Sequence, residues 1–221
     1  MTRLGRTVLT EPLEARIPRK RSVKASTALA ALVALGLGLV AVPSANAQSL
    51  TTLYSFCSQS GCTDGQAPFA GLVQGMDGDF YGTTAFGGSG AYCNDQRGCG
   101  TVFRITSTGA LTTLYSFCSQ SGCTDGAYPN AGLVQGSDGN FYGTTYVGGT
   151  AFAYGGTIFK VTPGGSLTTV YSFCSQSGCS DGQGPYAGLV QGSDGSFYGT
   201  TDSGEDPTKM AQYSRSRRPA H

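Results

Sequence analysis

The stretch LTTLYSFCSQSGCTDGAYPNAGLVQGSDGNFYGTT, Leu111 to Thr145, together with GTIFKVT, Gly156 to Thr162, decides the fold. LTTLYSF, AGLVQG, FYGTT and GTIFKVT are four short runs rich in β-branched and aromatic residues, which suit extended backbone. Between the second and third lies Ser137-Asp138-Gly139-Asn140. Asp-Gly accepts the positive φ of a tight hairpin, so these runs should pair antiparallel. Between the fourth run and the next LTT segment lies Pro163-Gly164-Gly165-Ser166, another tight turn. The second, third and fourth runs and the LTT run that follows therefore form one meander. The Cys-containing link then crosses to the next.

Working outward, the same unit recurs. LTTLYSFCSQSGCTDG starts at Leu50 and at Leu111, and LTTVYSFCSQSGCSDG starts at Leu167. This divides residues 48–204 into three tandem repeats, about 50–110, 111–166 and 167–204. Over the first 39 positions the first two copies differ at only 7, around Pro68 and Pro129 and at turn and loop positions. A four-stranded antiparallel meander repeated every 50–60 residues or so is the pattern of β-propeller blades. The predicted fold is all-β: tandem meanders making an incomplete, open propeller. The alternative is a β-solenoid, whose coils are usually shorter and rarely carry two hairpin turns per unit.

The repeated residues resemble the GloVer tandem repeat of exported bacterial proteins. AGLVQGSDGNFYGTT, a GG loop, GTVFRIT or GTIFKVT, and LTTLYSF carry the resemblance, from Leu50 to about Gly204. It implies a secreted or surface-attached protein, often with further repeats and an anchoring segment, and no particular activity. The strand–DG–strand pattern is also similar to other bacterial propellers, among them sensor ectodomains and a lyase of streptogramin antibiotics. That likeness concerns the fold and says little about function.

The 221 residues include 35 Gly, 8 Cys and no Trp, with 12% charged residues. Low charge with abundant aromatics argues against disorder, and no three-residue Gly period suggests collagen. Residues 1–47 read as an export signal. Arg16, Arg19, Lys20, Arg21 and Lys24 precede an apolar run from Ala25 to Val42, and Ala45 and Ala47 fit an A-x-A cleavage site before Gln48. The alternative is a membrane anchor, but the run is short for a span and holds Gly36 and Gly38. Without the signal the chain has seven basic and eleven acidic residues, a net charge of −4. An acidic repeat region argues against nucleic acid and anionic membranes as partners. The expected location is outside the cell or on its surface, with no membrane span after cleavage.

The eight Cys suit an exported chain. Cys57 and Cys62, Cys118 and Cys123, and Cys174 and Cys179 are C-x4-C pairs in the crossing links. Cys93 and Cys99 occur only in the longer loop of the first copy, so they are expected to pair with each other. Local disulfides are the reading. Structural zinc prefers C-x2-C pairs, and the one His is His221 near the C-terminus.

Chemistry is hard to find. Asp64, Asp125 and Asp181, and Asp77, Asp138 and Asp194, repeat with the fold and read as turn-forming Asp bonded to their own backbone. The alternative is calcium at Asp77-Gly78-Asp79, but Asn140 and Ser196 replace Asp79 in the other copies. No His pairs with Ser or Cys for nucleophilic catalysis. No catalytic residue and no cofactor is assigned. Aromatic residues at non-repeating positions are the better lead: Phe69, Tyr92, Tyr128, Tyr146, Phe152, Tyr154 and Tyr186. They could stack on sugars or meet a protein, or they could pack between blades. The expected function is a secreted, non-enzymatic binding or scaffold module for a protein or polysaccharide. The alternatives are a propeller enzyme, lyase or glycan hydrolase, and a non-functional fragment.

The third copy breaks off after FYGTT, Phe197 to Thr201, and continues DSGEDPTKMAQYSRSRRPAH. Reading the codons one frame over, from the last base of the Met210 ATG, forces Gly first and then permits GTVFKITPAGTL. The expectation is a small insertion or deletion near Gly204 that truncates a longer repeat gene. Residues 205–221 would then be an aberrant, disordered tail, and the last FYGTT strand would lack its partner. An open edge of this kind invites self-association.

Overall fold

The structure, a computed structural model, describes residues 50–93, 96–150, 155–204 and 213–216. All of these belong to one compact unit, Ser49–His221; the other unit, Met1–Gln48, lies outside the described residues. The expected signal and its Ala47/Gln48 cleavage site therefore lie outside them too, as do Phe152 and Tyr154.

Three antiparallel sheets follow one another along the chain. The first contains β1 (Val73–Gln74), β2 (Phe80–Thr84), β3 (Thr101–Ile105) and β4 (Leu111–Ser116), in that spatial order. The second contains β5 (Val134–Gln135), β6 (Phe141–Thr145), β7 (Thr157–Val161) and β8 (Leu167–Ser172), again in order. The third holds β9 (Val190–Gln191), β10 (Phe197–Thr200) and β11 (Tyr213–Ser216). These are tandem meanders, as the hairpin turns dictate, and not solenoid coils. Each complete sheet ends on the LTT segment of the following repeat. The sheets are thus offset by one strand from the sequence repeats.

The ladders repeat in register. Phe80 faces Ile105 and Thr84 faces Thr101; Phe141 faces Val161 and Thr145 faces Thr157. Both outer hairpins carry a bulge at the same place, between Val102 and Phe103 and between Ile158 and Phe159. Glycine in FYGTT has a steric cause. A Cβ on Gly82 would lie 2.7 Å from the Phe103 ring and 2.8 Å from Leu72. Gly143 stands in the same relation to Phe159 and Leu133. The bare backbone is the seat for the cross-strand phenylalanine.

The third sheet corrects one expectation. The last FYGTT strand does have a partner: Phe197 faces Ser216, Tyr198 faces Arg215, Gly199 faces Ser214 and Thr200 faces Tyr213. Ladder hydrogen bonds need backbone groups and not particular side chains, so an unrelated sequence can occupy the edge. The rest of the stretch expected to be disordered, 205–212 and 217–221, lies outside the described residues. In the complete sheets the hydroxyls of Thr84 and Thr101, and of Thr145 and Thr157, lie 2.8 Å apart. Their counterpart Thr201 is buried, and its Oγ1 has no hydrogen-bond partner among the described residues.

Consecutive sheets are joined by contacts that also repeat. Tyr81 stacks on Phe141 at 4.0 Å, and Tyr142 on Phe197 at 4.0 Å. The Thr83 hydroxyl donates to Ala131 O (2.8 Å) and that of Thr144 to Ala187 O (3.1 Å). The backbone N–H of Met76 donates to Gln135 Oε1, and that of Ser137 to Gln191 Oε1. The buried core runs through these interfaces and includes Tyr81, Val102, Phe117, Phe141 and Phe159.

Candidate functional site

The link after each LTT segment is a clamped loop. The four expected cysteine pairs are the four disulfides of the structure: Cys57–Cys62, Cys93–Cys99, Cys118–Cys123 and Cys174–Cys179. Both cysteines of each C-x4-C pair have positive φ, from 49° to 61°. That conformation costs an L-residue roughly 1–2 kcal/mol, so the loop needs strong local ties. The disulfide is one and a carboxylate is the other. Asp125 is fully buried, and its Oδ2 accepts from the Tyr115 hydroxyl (2.8 Å) and Ser119 N (2.9 Å), its Oδ1 from Gln120 N (3.3 Å). Asp64 and Asp181 hold the same donors in their copies. These Asp therefore bond backward across the Cys loop, five to ten residues upstream, and not within their own turn as the sequence suggested. Burial opposes ionisation of Asp64 and Asp181, but the donors outweigh it and hold both carboxyls below the usual range. Burial, then the Asp125 carboxylate, pushes the Tyr115 hydroxyl well above its ordinary value.

The second set of Asp lies in the DG turns. Asp77 Oδ1 accepts from Asp79 N, two residues on, and its Oδ2 from the Tyr81 hydroxyl at 2.6 Å. Asp138 and Asp194 repeat this with Tyr142 and Tyr198. Burial and then the Asp77 carboxylate raise the Tyr81 hydroxyl to about 12. Asp79 is drawn instead to Arg104, at 3.6 Å. The oxygens of Asp77 thus face N–H and O–H donors, whereas a calcium turn aims several bare oxygens at one point. A cleft of about 350 Å³ between the first two DG turns is lined by Met76, Asp77, Tyr81, Gln135 and Phe141. It is the seam between two sheets. Among the described residues, no three His, Cys, Asp or Glu side chains gather as a metal site would require.

The opposite end of the sheets is different. Isolated bridges Gln66–Phe86, Ala127–Val147 and Gln183–Ser203 tie the end of each crossing link to the end of the FYGTT strand. This juxtaposes two sequence segments that vary between copies. Of the 7 positions at which the first two copies differ, 5 lie here: 66, 67, 69, 85 and 86. The framework is repeated and this rim is not. On it, Phe69 meets Phe86 edge-on at 6.4 Å, Phe86 meets Tyr128 at 5.7 Å, and Tyr146 meets Tyr186 at 5.8 Å. The Arg97 guanidinium lies 4.2 Å over the Phe86 ring. Asp202 stands beside Tyr146 and, with burial, raises its hydroxyl. Phe69 is 65% exposed and Tyr186 58%, so more than half of each side chain meets solvent. Tyr92 is half exposed, in the first copy's longer loop. Tyr128 and Tyr146 are half-buried and pack against the other rings. The expected aromatic group thus divides into exposed and packed members. Phe86 and Arg97 belong to it and were missed in the sequence; the variability of position 86 between copies was the available signal.

The fold and its repeated ties define a tandem-repeat, all-β protein of blade-like meanders. The chain belongs to the Gloeobacter/Verrucomicrobia repeat family, whose pattern matches residues 34–211. Among solved structures, it is similar to the X-ray structure of a protein assigned as a gluconolactonase, at 15% identity and a TM-score of 0.35. That match covers 67% of this chain, which spans 47% of the other. No curated protein matches. Among the described residues, no helix is long and apolar enough to cross a membrane.

Proposed function

We propose that the chain is an exported binding or scaffold module, without chemistry of its own, that presents its variable aromatic rim to a protein or polysaccharide. One observation carries this reading: the differences between nearly identical repeats gather at one end of the sheets, where exposed rings accumulate. Aromatic faces stack on sugar rings and anchor protein contacts. An acidic, disulfide-clamped repeat region fits the cell exterior. Retention on immobilised cell-wall and plant polysaccharides tests it. Phe69→Ala and Tyr186→Ala should each weaken binding about tenfold, as loss of an aromatic anchor does. Met76→Ala, at the other end, should not. Turnover of a retained glycan would favour the lyase or hydrolase reading instead.

A second reading concerns the gene. The shifted frame forces Gly and then permits Thr, Val, Phe, Lys and Ile at positions 211 to 216. The observed ladder sets Tyr213 to Ser216 opposite Thr200 to Phe197, where the other sheets have Val102 to Ile105 and Ile158 to Val161. The shifted residues at 213 to 216 fall in that register. This supports truncation of a longer array. Resequencing from codon 195 tests it: an added or missing base, followed by further repeats, is the expected result.

A further inference from the structure

We infer that the extra disulfide of the first copy, Cys93–Cys99, guards Cys118–Cys123 of the second: a thiol reductant must open the first before it reaches the other. The two disulfides share one buried cluster, to which Cys99, Cys118 and Cys123 contribute fully and Cys93 in part. Only 1% of Cys118 and 7% of Cys123 is exposed. Thiol–disulfide exchange requires a thiolate to reach a sulfur atom, so its rate depends on access.

The segment Gly90–Cys93 covers the second disulfide. Tyr92 N donates to Cys118 O (2.9 Å), and Tyr92 O lies 3.7 Å from Cys123 Sγ. Gly90 approaches so closely that a Cβ on it would overlap the Phe117 carbonyl oxygen. The segment belongs to no strand, so no ladder holds it down. Its far end is held by the staple to Cys99. Cys99 is itself well anchored: its carbonyl accepts from Tyr128 N (2.9 Å), and β3 begins two residues on at Thr101. Cys93–Cys99 thus ties a strandless cover to the base of a central strand and to the second copy's crossing link. None of these contacts involves positions 94 and 95, which lie outside the described residues.

The chemistry needs a dithiol. One thiolate of the reductant attacks a sulfur of Cys93–Cys99 and forms a mixed disulfide, and the other cysteine leaves as a thiolate that takes up a proton. The reductant's second thiol then displaces the remaining cysteine and closes the reductant's own disulfide. Two cysteine thiols are gained and two reductant thiols are oxidised. Without the staple, the cover keeps only non-covalent ties and opens locally. Cys118–Cys123 is then reduced by the same exchange, and the Asp125 carboxylate is left to hold its loop.

Graded dithiothreitol on the folded protein tests this, with timed alkylation and peptide mass spectrometry giving the rate at each pair. In the native chain, reduction of Cys118–Cys123 should follow that of Cys93–Cys99 with a lag. Cys93→Ser/Cys99→Ser should remove the lag and speed reduction of Cys118–Cys123 about tenfold, because access sets the rate. Cys174–Cys179, in the next copy, should keep its native rate in that variant. Gly90→Ala displaces the cover from the Phe117 carbonyl and retains every cysteine, so it should also speed reduction of Cys118–Cys123. Three results would overturn the inference: no lag in the native chain, a Cys118–Cys123 rate indifferent to both variants, or an equal acceleration at Cys174–Cys179, the mark of general loosening.

Discussion

Asp125→Asn should destabilise the protein by roughly 3–5 kcal/mol, through loss of charge-assisted bonds in a buried loop. In the native loop, one carboxylate receives the Tyr115 hydroxyl and two backbone N–H groups, at 2.8 to 3.3 Å. Asparagine keeps one acceptor oxygen. If that oxygen takes the place of Oδ2, the bonds from Tyr115 and Ser119 survive as neutral ones, each weaker by about 1 kcal/mol. The amide NH2 then faces the N–H of Gln120, donor against donor, at a cost of roughly 1–3 kcal/mol. If the amide flips, two donors are stranded instead of one, and the cost rises. For a chain of this length the midpoint should fall by roughly 6–20 °C. Tyr115→Phe removes one donor and leaves the carboxylate two, so its cost should be about half. Because the two changes act on one bond, the double variant should cost clearly less than their sum. Guanidinium denaturation of all four proteins at neutral pH gives the cycle. A loss under about 1 kcal/mol for Asp125→Asn, or strict additivity, would refute the clamp.

Other outcomes follow from the same geometry. Phe141→Ala removes a fully buried ring stacked on Tyr81 and should cost roughly 3–5 kcal/mol by thermal melting, because the cavity lies at an inter-sheet seam. Asp64, Asp138 and Asp181 are held below their ordinary value of 3.8 in the folded chain. Their contribution is therefore fully present above the unfolded value and is lost as pH falls through the lower folded ones. Denaturation midpoints should be level from pH 7 to about 5 and decline below about 4. Millimolar calcium should leave the melting temperature unchanged, since the DG-turn carboxylates already face donors; a rise reversed by chelator would revive the calcium reading.

Much of the framework was legible in the sequence because it is written three times. Asp-Gly and Pro-Gly turns between β-rich runs fix antiparallel meanders, and co-occurrence pairs Cys93 with Cys99. Less legible was what a carboxylate bonds. Asp77 does bind its own turn, but Asp64, Asp125 and Asp181 reach back across the Cys loop, a path that only the folded loop defines. Nor did the sequence show that Tyr81 stacks on Phe141, 60 residues away, since both read simply as members of an FYGTT-type strand. The edge strand Tyr213–Ser216 escaped notice because its sequence does not resemble TVFRI or TIFKV, which hold the same place in the other sheets.

By itself the sequence determined the local order of this protein: which runs extend, where they turn, how often the unit recurs, and which cysteines are neighbours. These depend on interactions between residues close in the chain. The tertiary structure alone decided that positions 66–69 and 85–86 share one rim, and that Tyr213–Ser216 pairs with the last FYGTT strand. Those facts depend on which backbone groups find partners across the assembled sheets, and hydrogen-bonding capacity is the same for every residue but proline.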